Sequence, residues 1–342
     1  MVMKNVFVAS QGNLWNSADM YGMGNDTLNL LLPAPNYAAI RTYLGNDVVN
    51  VLVEPTGTIG YKFYLGLGND TLSASSNDDY YYDEGGDDTI NMGHGDDVVY
   101  AGPGNDTING GMHMGGGGDT LYFSSQFDMF GNSTPVTQGV TFDLAVTGPQ
   151  NLGFFGTDTF FNFENVSCGR EEDTVFGDSG GNIILGWKGD DFLRGRGGVD
   201  NILGGEGSDT LIGDTAGDKL YAGTLQDNQS QTDGDADIIK YFQIMDSTYD
   251  NGMDTIFQFE HAAGGGHDRI DLSSIDAVPL LGGNQAFQFV GSGNFSMFGG
   301  SVRVTTVGGN SIVMVNTDSD AIAEMVILVD GVTGLTADDF IL

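Results

Sequence analysis

Cysteine, proline and basic residues are all scarce in this chain. Its 342 residues include a single cysteine, Cys168, so no internal disulfide forms. That suits the cytosol, or a secreted bacterial protein held together by metal rather than by cross-links. Seven prolines against 55 glycines mean many tight turns at positive φ rather than stiff loops. Lys and Arg number 11 against 47 Asp and Glu, a formal net charge of -36. Nucleic acid is excluded on that balance, because its phosphates need Lys and Arg to displace counterions. An anionic membrane surface is disfavoured for the same reason. No run approaches the roughly 18 apolar residues of a transmembrane helix. Met1 to Leu14 lack the apolar stretch and small-residue cleavage site of a signal peptide, so an exported form uses a route without a cleaved N-terminal signal. Yet 40% of the residues are hydrophobic and 11% aromatic, too many for an acidic tail that self-repulsion keeps open. The composition describes a chain that folds once cations neutralise it.

What is abundant is a period of nine. Asp70, Asp79, Asp88, Asp97 and Asp106 recur at that interval, and so do Asp173, Asn182, Asp191, Asp200, Asp209 and Asp218. Two positions after each lies an apolar or aromatic residue: Leu72, Tyr81, Ile90, Val99 and Ile108, then Val175, Ile184, Leu193, Ile202, Leu211 and Leu220. Nine matches neither a helix nor a simple amphipathic strand, so each unit is a turn plus a short strand that stacks on its neighbours. Successive units alternate sides, two units complete one coil, and each coil rises by about 4.8 Å.

A clean unit reads Gly102-Pro103-Gly104-Asn105-Asp106-Thr107-Ile108-Asn109. Its glycines turn the backbone so that carbonyl oxygens point inward, and its Asp adds a hard anionic oxygen. Oxygen-only donors of this kind suit several Ca²⁺ ions. His, Cys and Met are missing from the ligand positions, which makes zinc and copper poor candidates. The candidate ligands are Gly24, Asp26 and Asp47 in degenerate first units, then Gly68, Asp70, Asp79, Gly86, Asp88, Gly95, Asp97, Gly104 and Asp106. Asp119 follows a short insertion, and Asp173, Gly189, Asp191, Asp200, Gly207, Asp209 and Asp218 form the second array. A row of carboxylates at this spacing repels itself without cations, so folding is expected to follow calcium.

The nonapeptides resemble those of the RTX (repeat-in-toxin) family, whose arrays form parallel β-rolls filled with Ca²⁺. Val140 to Leu144, Gly156 to Thr159 and Phe163 to Val166 resemble the segment preceding such arrays. Asp268 to Ser273, Ala286 to Gly291 and Leu335 to Leu342 resemble the C-terminal region of serralysin-like secreted proteins. That resemblance implies type I secretion, with Asp339, Phe340, Ile341 and Leu342 as an uncleaved export signal read by the secretion apparatus. Departures from the pattern are Asn182 for Asp, Glu171 and Ala216 for glycine, and Ser75 and Asn77 before Asp79. Arg196 lies near Asp200 in sequence and is expected to compete with its ion.

Catalytic signals are weak. Gly177-Asp178-Ser179-Gly180-Gly181 matches the nucleophile segment of chymotrypsin-like proteases, but it occupies one repeat unit and lacks a His partner segment. His94, His113, His261 and His267 show no His-Glu-x-x-His spacing, so the serralysin zinc site is absent. His94, at a variable repeat position, is expected to be exposed. Neither a lipase elbow nor a clear glycosidase pair stands out. Tyr80-Tyr81-Tyr82 could offer a sugar-stacking surface only on the alternate side from Tyr81, which is in the core register.

The expected fold is all-β: two Ca-bound parallel β-rolls of nonapeptide repeats, joined by a strand-rich segment and closed by a C-terminal β-sandwich-like cap. Residues 1–122 are read as the first array, 123–168 as the connector, 169–223 as the second roll and 224–342 as the cap. The expected function is a non-enzymatic, secreted calcium-binding structural protein at the bacterial surface, self-assembling into a layer, filament or matrix. Sheet edges and Val6 to Leu14 are the candidate contact surfaces, and cell-surface polysaccharide is a further candidate partner. The alternative is a carbohydrate-active enzyme or glycan-binding module with its site in 30–64 or 123–168. A third reading makes the chain a calcium-delivering partner for another exported enzyme.

Overall fold

The computed structural model describes residues 2–6, 24–30, 39–52, 59–113, 117–127, 132–226, 229–231, 233–261 and 267–342. These residues form strands and turns with no α-helix; three 3-10 turns lie at Gly153–Phe155, Ile244–Asp246 and Ala337–Asp339. Contacts divide the chain into two units, Met1–Arg170 and Glu171–Leu342.

In the first unit the chain passes alternately between two parallel sheets. One runs from Asp26–Leu30 through Val48–Val51, Thr71–Ser73, Thr89–Asn91 and Thr107–Asn109 to Thr157–Phe161. The other holds Ala39–Arg41, Ile59–Tyr64, Asp78–Tyr82, Val98–Tyr100, Thr120–Tyr122 and Asn165–Ser167. Thr71 stands beside Thr89 and Thr89 beside Thr107, so two nine-residue units make one coil as expected. The residue two places after each repeat Asp enters the core: Leu72, Tyr81, Ile90, Val99 and Ile108 are all buried. Each such burial is worth about 1.5–3 kcal/mol.

Beside the central core positions, like stacks on like. The rings of Tyr64, Tyr82, Tyr100 and Tyr122 follow one another at centroid distances of 4.4, 4.8 and 4.9 Å. Asn109 Nδ2 donates to Asn91 Oδ1 at 3.1 Å, and Asn162 Nδ2 donates to Asn109 Oδ1 at 2.7 Å. Parallel in-register pairing makes identical positions neighbours, so a repeat that keeps one residue type builds a ladder. At the far end of the unit, Phe123, Phe142, Phe155 and Phe160 meet edge to face.

The second unit repeats the plan. Thr174–Phe176, Phe192–Gly197, Thr210–Thr215, Ile238–Lys240, Arg269–Asp271 and Phe340–Ile341 form one parallel sheet. Ile183–Lys188, Asn201–Glu206, Lys219–Tyr221, Asp254–Phe257 and Met325–Val329 form the opposing run. Val175, Ile184, Leu193, Ile202, Leu211 and Leu220 are each fully buried. Antiparallel pairing appears where the period ends: Ser301–Val307 pairs with Asn310–Asn316, which pairs with Met325–Val329. Val313 and Val315 face inward there, between the half-exposed Ile312 and Met314.

Pairing outlasts the nine-residue spacing, and here the structure differs from the boundaries read from sequence. Within 123–168, Thr157–Phe161 stacks on Thr107–Asn109 and Asn165–Ser167 stacks on Thr120–Tyr122. Beyond 223, Ile238–Lys240 and Asp254–Phe257 continue the second roll. Insertions lengthen the loops between rungs without ending the stack. A core truncation in a regular rung, Leu211→Ala, is expected to cost about 2–5 kcal/mol, read as a lowered urea midpoint in calcium.

Candidate metal centres

The repeat aspartates form ladders that run from coil to coil. The Asp70 N–H donates to Asp88 Oδ1 at 2.8 Å, and the Asp88 N–H to Asp106 Oδ1 at 2.7 Å. On the other side Asp97 N–H donates to Asp119 Oδ1. The second unit repeats the motif from Asp173 to Asp191 to Asp209 and from Asn182 to Asp200 to Asp218, all at 2.7–2.8 Å. Asp26 N–H donates to Asp47, and Asp47 N–H to Asp70, so the degenerate first units join the same column.

Each ladder bond uses one carboxylate oxygen. The other, Oδ2, is buried and meets no hydrogen-bond donor in Asp47, Asp70, Asp97, Asp119, Asp191, Asp200, Asp209 and Asp218. A buried anionic oxygen without a donor is costly unless a proton or a cation meets it. A column of such oxygens beside glycine-rich turns is the donor chemistry Ca²⁺ takes. The glycines are fixed by this closeness. A Cβ on Gly186, Gly195, Gly204 or Gly213 would stand 2.1–2.2 Å from Oδ2 of the aspartate five residues on. Turn glycines stack as well: Gly207 sits at φ +127°, and its Cβ would lie 2.1 Å from the Gly189 carbonyl oxygen. In the first unit Gly68, Gly86 and Gly104 are pressed likewise against Gly45, Gly68 and Gly86, and Gly95 lies against the Asn77 backbone. Gly24 is exposed with open space beside it.

Burial is the leading cause that raises these acids. It pushes Asp97 up to about 10, Asp191 up to about 9 and Asp70 up to about 8, with neighbouring carboxylates adding to the rise. Asp119, Asp200, Asp209 and Asp218 rise to about 7. The backbone N–H on Oδ1 opposes the rise in every case, and burial outweighs it.

Several departures have physical consequences. Asp79 accepts from Tyr61 N–H through Oδ1 and from the Ser75 N–H and hydroxyl through Oδ2, so protein donors hold both of its oxygens. Ser75, in a glycine's place, thus supplies what a cation supplies elsewhere. Asn182 Oδ1 accepts from Asp178 N–H at 2.9 Å. Ala216 adopts φ +111°, a left-handed conformation that favours glycine. Arg196 does not neutralise Asp200: its Nη1 donates to the Gly177 carbonyl at 2.8 Å, and Asp200 Oδ2 meets no donor.

Sequence reading missed four further rungs. Asp158 accepts from Asp106 N–H, Asp237 from Asp209, Asp254 from Asp218 and Asp268 from Asp237. Asp158, Asp237 and Asp254 keep an unpartnered Oδ2, whereas Asp268 Oδ2 accepts from Glu260 N–H. Their signal was present as Asp-x-apolar in Asp158-Thr159-Phe160, Asp237-Ile238-Ile239, Asp254-Thr255-Ile256 and Asp268-Arg269-Ile270. Insertions hid it by breaking the count of nine. Glu164 takes the aspartate's part beside Asp119, whose N–H it accepts at 2.7 Å.

The histidines do not converge. His94 is half-buried rather than exposed, His113 Nδ1 lies 3.3 Å from Glu164, and His261 Nδ1 lies 3.0 Å from Asp339. The protease-like segment is a roll turn, in which Asp178 Oδ1 accepts from Gly180 N–H.

Two family models match the chain. Residues 156–342, more than half of the chain, match the family model described as peptidase M10 serralysin C terminal. Residues 63–90 and 83–112 match the RTX calcium-binding nonapeptide repeat. Among solved structures the chain is similar to the AlgE6R3 subunit of the Azotobacter vinelandii mannuronan C5-epimerase. Identity is 23%, coverage 50% of this chain and 78% of that one, and the TM-score 0.23. No curated protein matches. The repeats bind Ca²⁺.

The raised carboxyls predict opposite pH responses with and without metal. Folded aspartates bind protons more tightly than the unfolded chain does, so the metal-free fold loses stability as pH rises from about 4 through these higher values. Metal-stripped protein should therefore lose β-type circular dichroism between about pH 5 and pH 8. Protons and calcium compete for the same oxygens, so half-saturation with calcium should need more of the ion at pH 5 than at pH 8. A metal-stripped chain equally ordered at both pH values contradicts this account.

Proposed function

The chain belongs to the peptidase M10 serralysin C-terminal family, and from that premise we propose a secreted protein whose calcium-folded scaffold is itself the working part. The observation that carries the reading is the repeated, buried, unpartnered Oδ2 of the ladder aspartates. Low cytosolic calcium leaves those oxygens without counterions and keeps the chain exportable. Extracellular calcium supplies the ions, and both rolls close.

The C-terminal residues fit that order of events. Asp339 is buried and accepts from Thr336 N–H, while Phe340 and Ile341 pair with Ile270 and Asp271. An export signal engaged in this way is legible only before folding, so the type I apparatus reads Asp339, Phe340, Ile341 and Leu342 in the metal-free chain. The destination is the outside of a bacterial cell.

Once folded, the protein assembles with copies of itself into a layer, filament or matrix. Ala39–Arg41 is the last strand of its sheet in the order of the described strands, and sheet edges are where a second chain adds. Leu280 and Phe298 are 94% and 83% exposed in the second unit, apolar surface suited to a partner. The segment Val6 to Leu14 lies, from residue 7 onward, outside the described residues. A glycan platform is the weaker reading, because Tyr64, Tyr82, Tyr100 and Tyr122 cover one another's ring faces.

Electron microscopy and light scattering of purified protein in millimolar calcium and in chelator test this. Expected are ordered polymers with calcium and dispersed, disordered chains without it. Discrete monomers in calcium would remove the assembly role and leave calcium-coupled folding standing.

A further inference from the structure

Asp83 is a buried acid of the first unit that stands outside the aspartate ladder. Residues that follow the stacked tyrosines point into the core: Leu65 after Tyr64, Ala101 after Tyr100 and Phe123 after Tyr122 are all buried and apolar. The corresponding residue after Tyr82 is Asp83, 1% exposed. A carboxylate in an apolar column is unfavourable without a compensating partner. Asp83 Oδ2 accepts from Gly102 N–H at 3.1 Å, and Oδ1 finds no donor at all. Gly102 leaves the room this carboxylate needs, since a Cβ there would stand 2.6 Å from Asp83 Cγ.

Carboxylate oxygens of Asp83, Asp88 and Asp106 lie within 4.8 Å of one another, and all three side chains are buried. The Tyr81 hydroxyl donates to Asp88 Oδ2 at the same place. We propose that Asp83, Asp88 and Asp106 form a three-carboxylate site for a hard divalent cation, Ca²⁺ above all, inside the first roll. Repeat sites draw on the ladder aspartates and turn carbonyls; this site adds a third anionic side chain from a core position. Higher ligand charge tightens calcium binding, so it holds its ion at calcium levels that empty the others and anchors the first roll. The inference rests on the calcium reading of the rolls.

The full chain, loaded with calcium, is equilibrated against chelators of increasing strength, and residual calcium is counted by atomic emission. Wild type should retain one ion at a free calcium about tenfold below that which empties the remainder. Asp83→Asn, near-isosteric, and Asp83→Leu, the residue type of position 65, should each lose that ion and no other. Terbium in place of the tightest ion should show tyrosine-sensitised emission that Tyr81→Phe weakens and Asp83→Asn abolishes. Equal ion counts and midpoints in wild type and both Asp83 variants would overturn the proposal. So would equal counts with a higher urea midpoint in Asp83→Leu, the mark of a protonated acid that an apolar residue improves upon. Wild type that binds no calcium sinks the reading of the rolls instead, a result distinct from either.

Discussion

The fold depends on one bond repeated from coil to coil: an aspartate backbone N–H donating to the side-chain carboxylate of the aspartate one coil further along. That bond fixes register, because a slip of one residue would break every rung and turn each core side chain outward. It also fixes charge. A carboxylate held by one oxygen against the backbone presents its other oxygen to the interior, as Asp191, Asp200, Asp209 and Asp218 do. The geometry that aligns the coils is therefore the geometry that gathers like charges in a column. The few apolar side chains that each coil buries do not neutralise that charge, and cations do. Calcium is in this sense part of the fold.

The two units meet this constraint differently at the position five residues before the aspartate. In the second unit it is glycine at 177, 186, 195, 204 and 213, and the backbone lies directly against the side-chain oxygen of the residue five places on. In the first unit the same position carries Leu65, Ala74, Asp83, Met92 and Ala101. Leu65, Met92 and Ala101 are buried, so there the position adds to the core. The next residue along shows the complementary tolerance. Trp187, Arg196 and Asp214 hold φ of +75°, +77° and +65° at recurring places in the second unit. The left-handed turn is demanded by the roll whichever residue occupies it, and those side chains bear the backbone strain.

Periodicity made the parallel rolls, the buried apolar positions and the calcium chemistry legible in the sequence. Leu72 and Ile202 could be assigned to the core from spacing alone. Spacing failed where insertions fell between rungs. The ladder bond from Asp106 to Asp158 spans 52 residues, so counting in nines ends at Asp106 while the hydrogen bond does not. Asp237 and Asp254 were hidden for the same reason. Partner choice at single sites was not legible either. That Ser75 occupies both the backbone and hydroxyl bonds of Asp79 Oδ2, or that Arg196 turns to Gly177, follows from three-dimensional position and not from sequence proximity.

The C-terminal strand joins the fold to the proposed route of export. Phe340–Ile341 is the last strand of the sheet that begins with Thr174–Phe176 in the second unit, and it lies beside Arg269–Asp271. The Phe340 ring sits 5.4 Å from Phe289, and Asp339 is hydrogen-bonded within the closing turn. A segment that completes a calcium-dependent sheet cannot at the same time lie open to a transporter. On the proposed route, calcium decides which of the two roles the segment plays. Without ions the sheet it completes would lack its ladder and leave the proposed signal accessible; with ions the segment is a structural strand. That proposal lets the ion gradient across the envelope order export before folding.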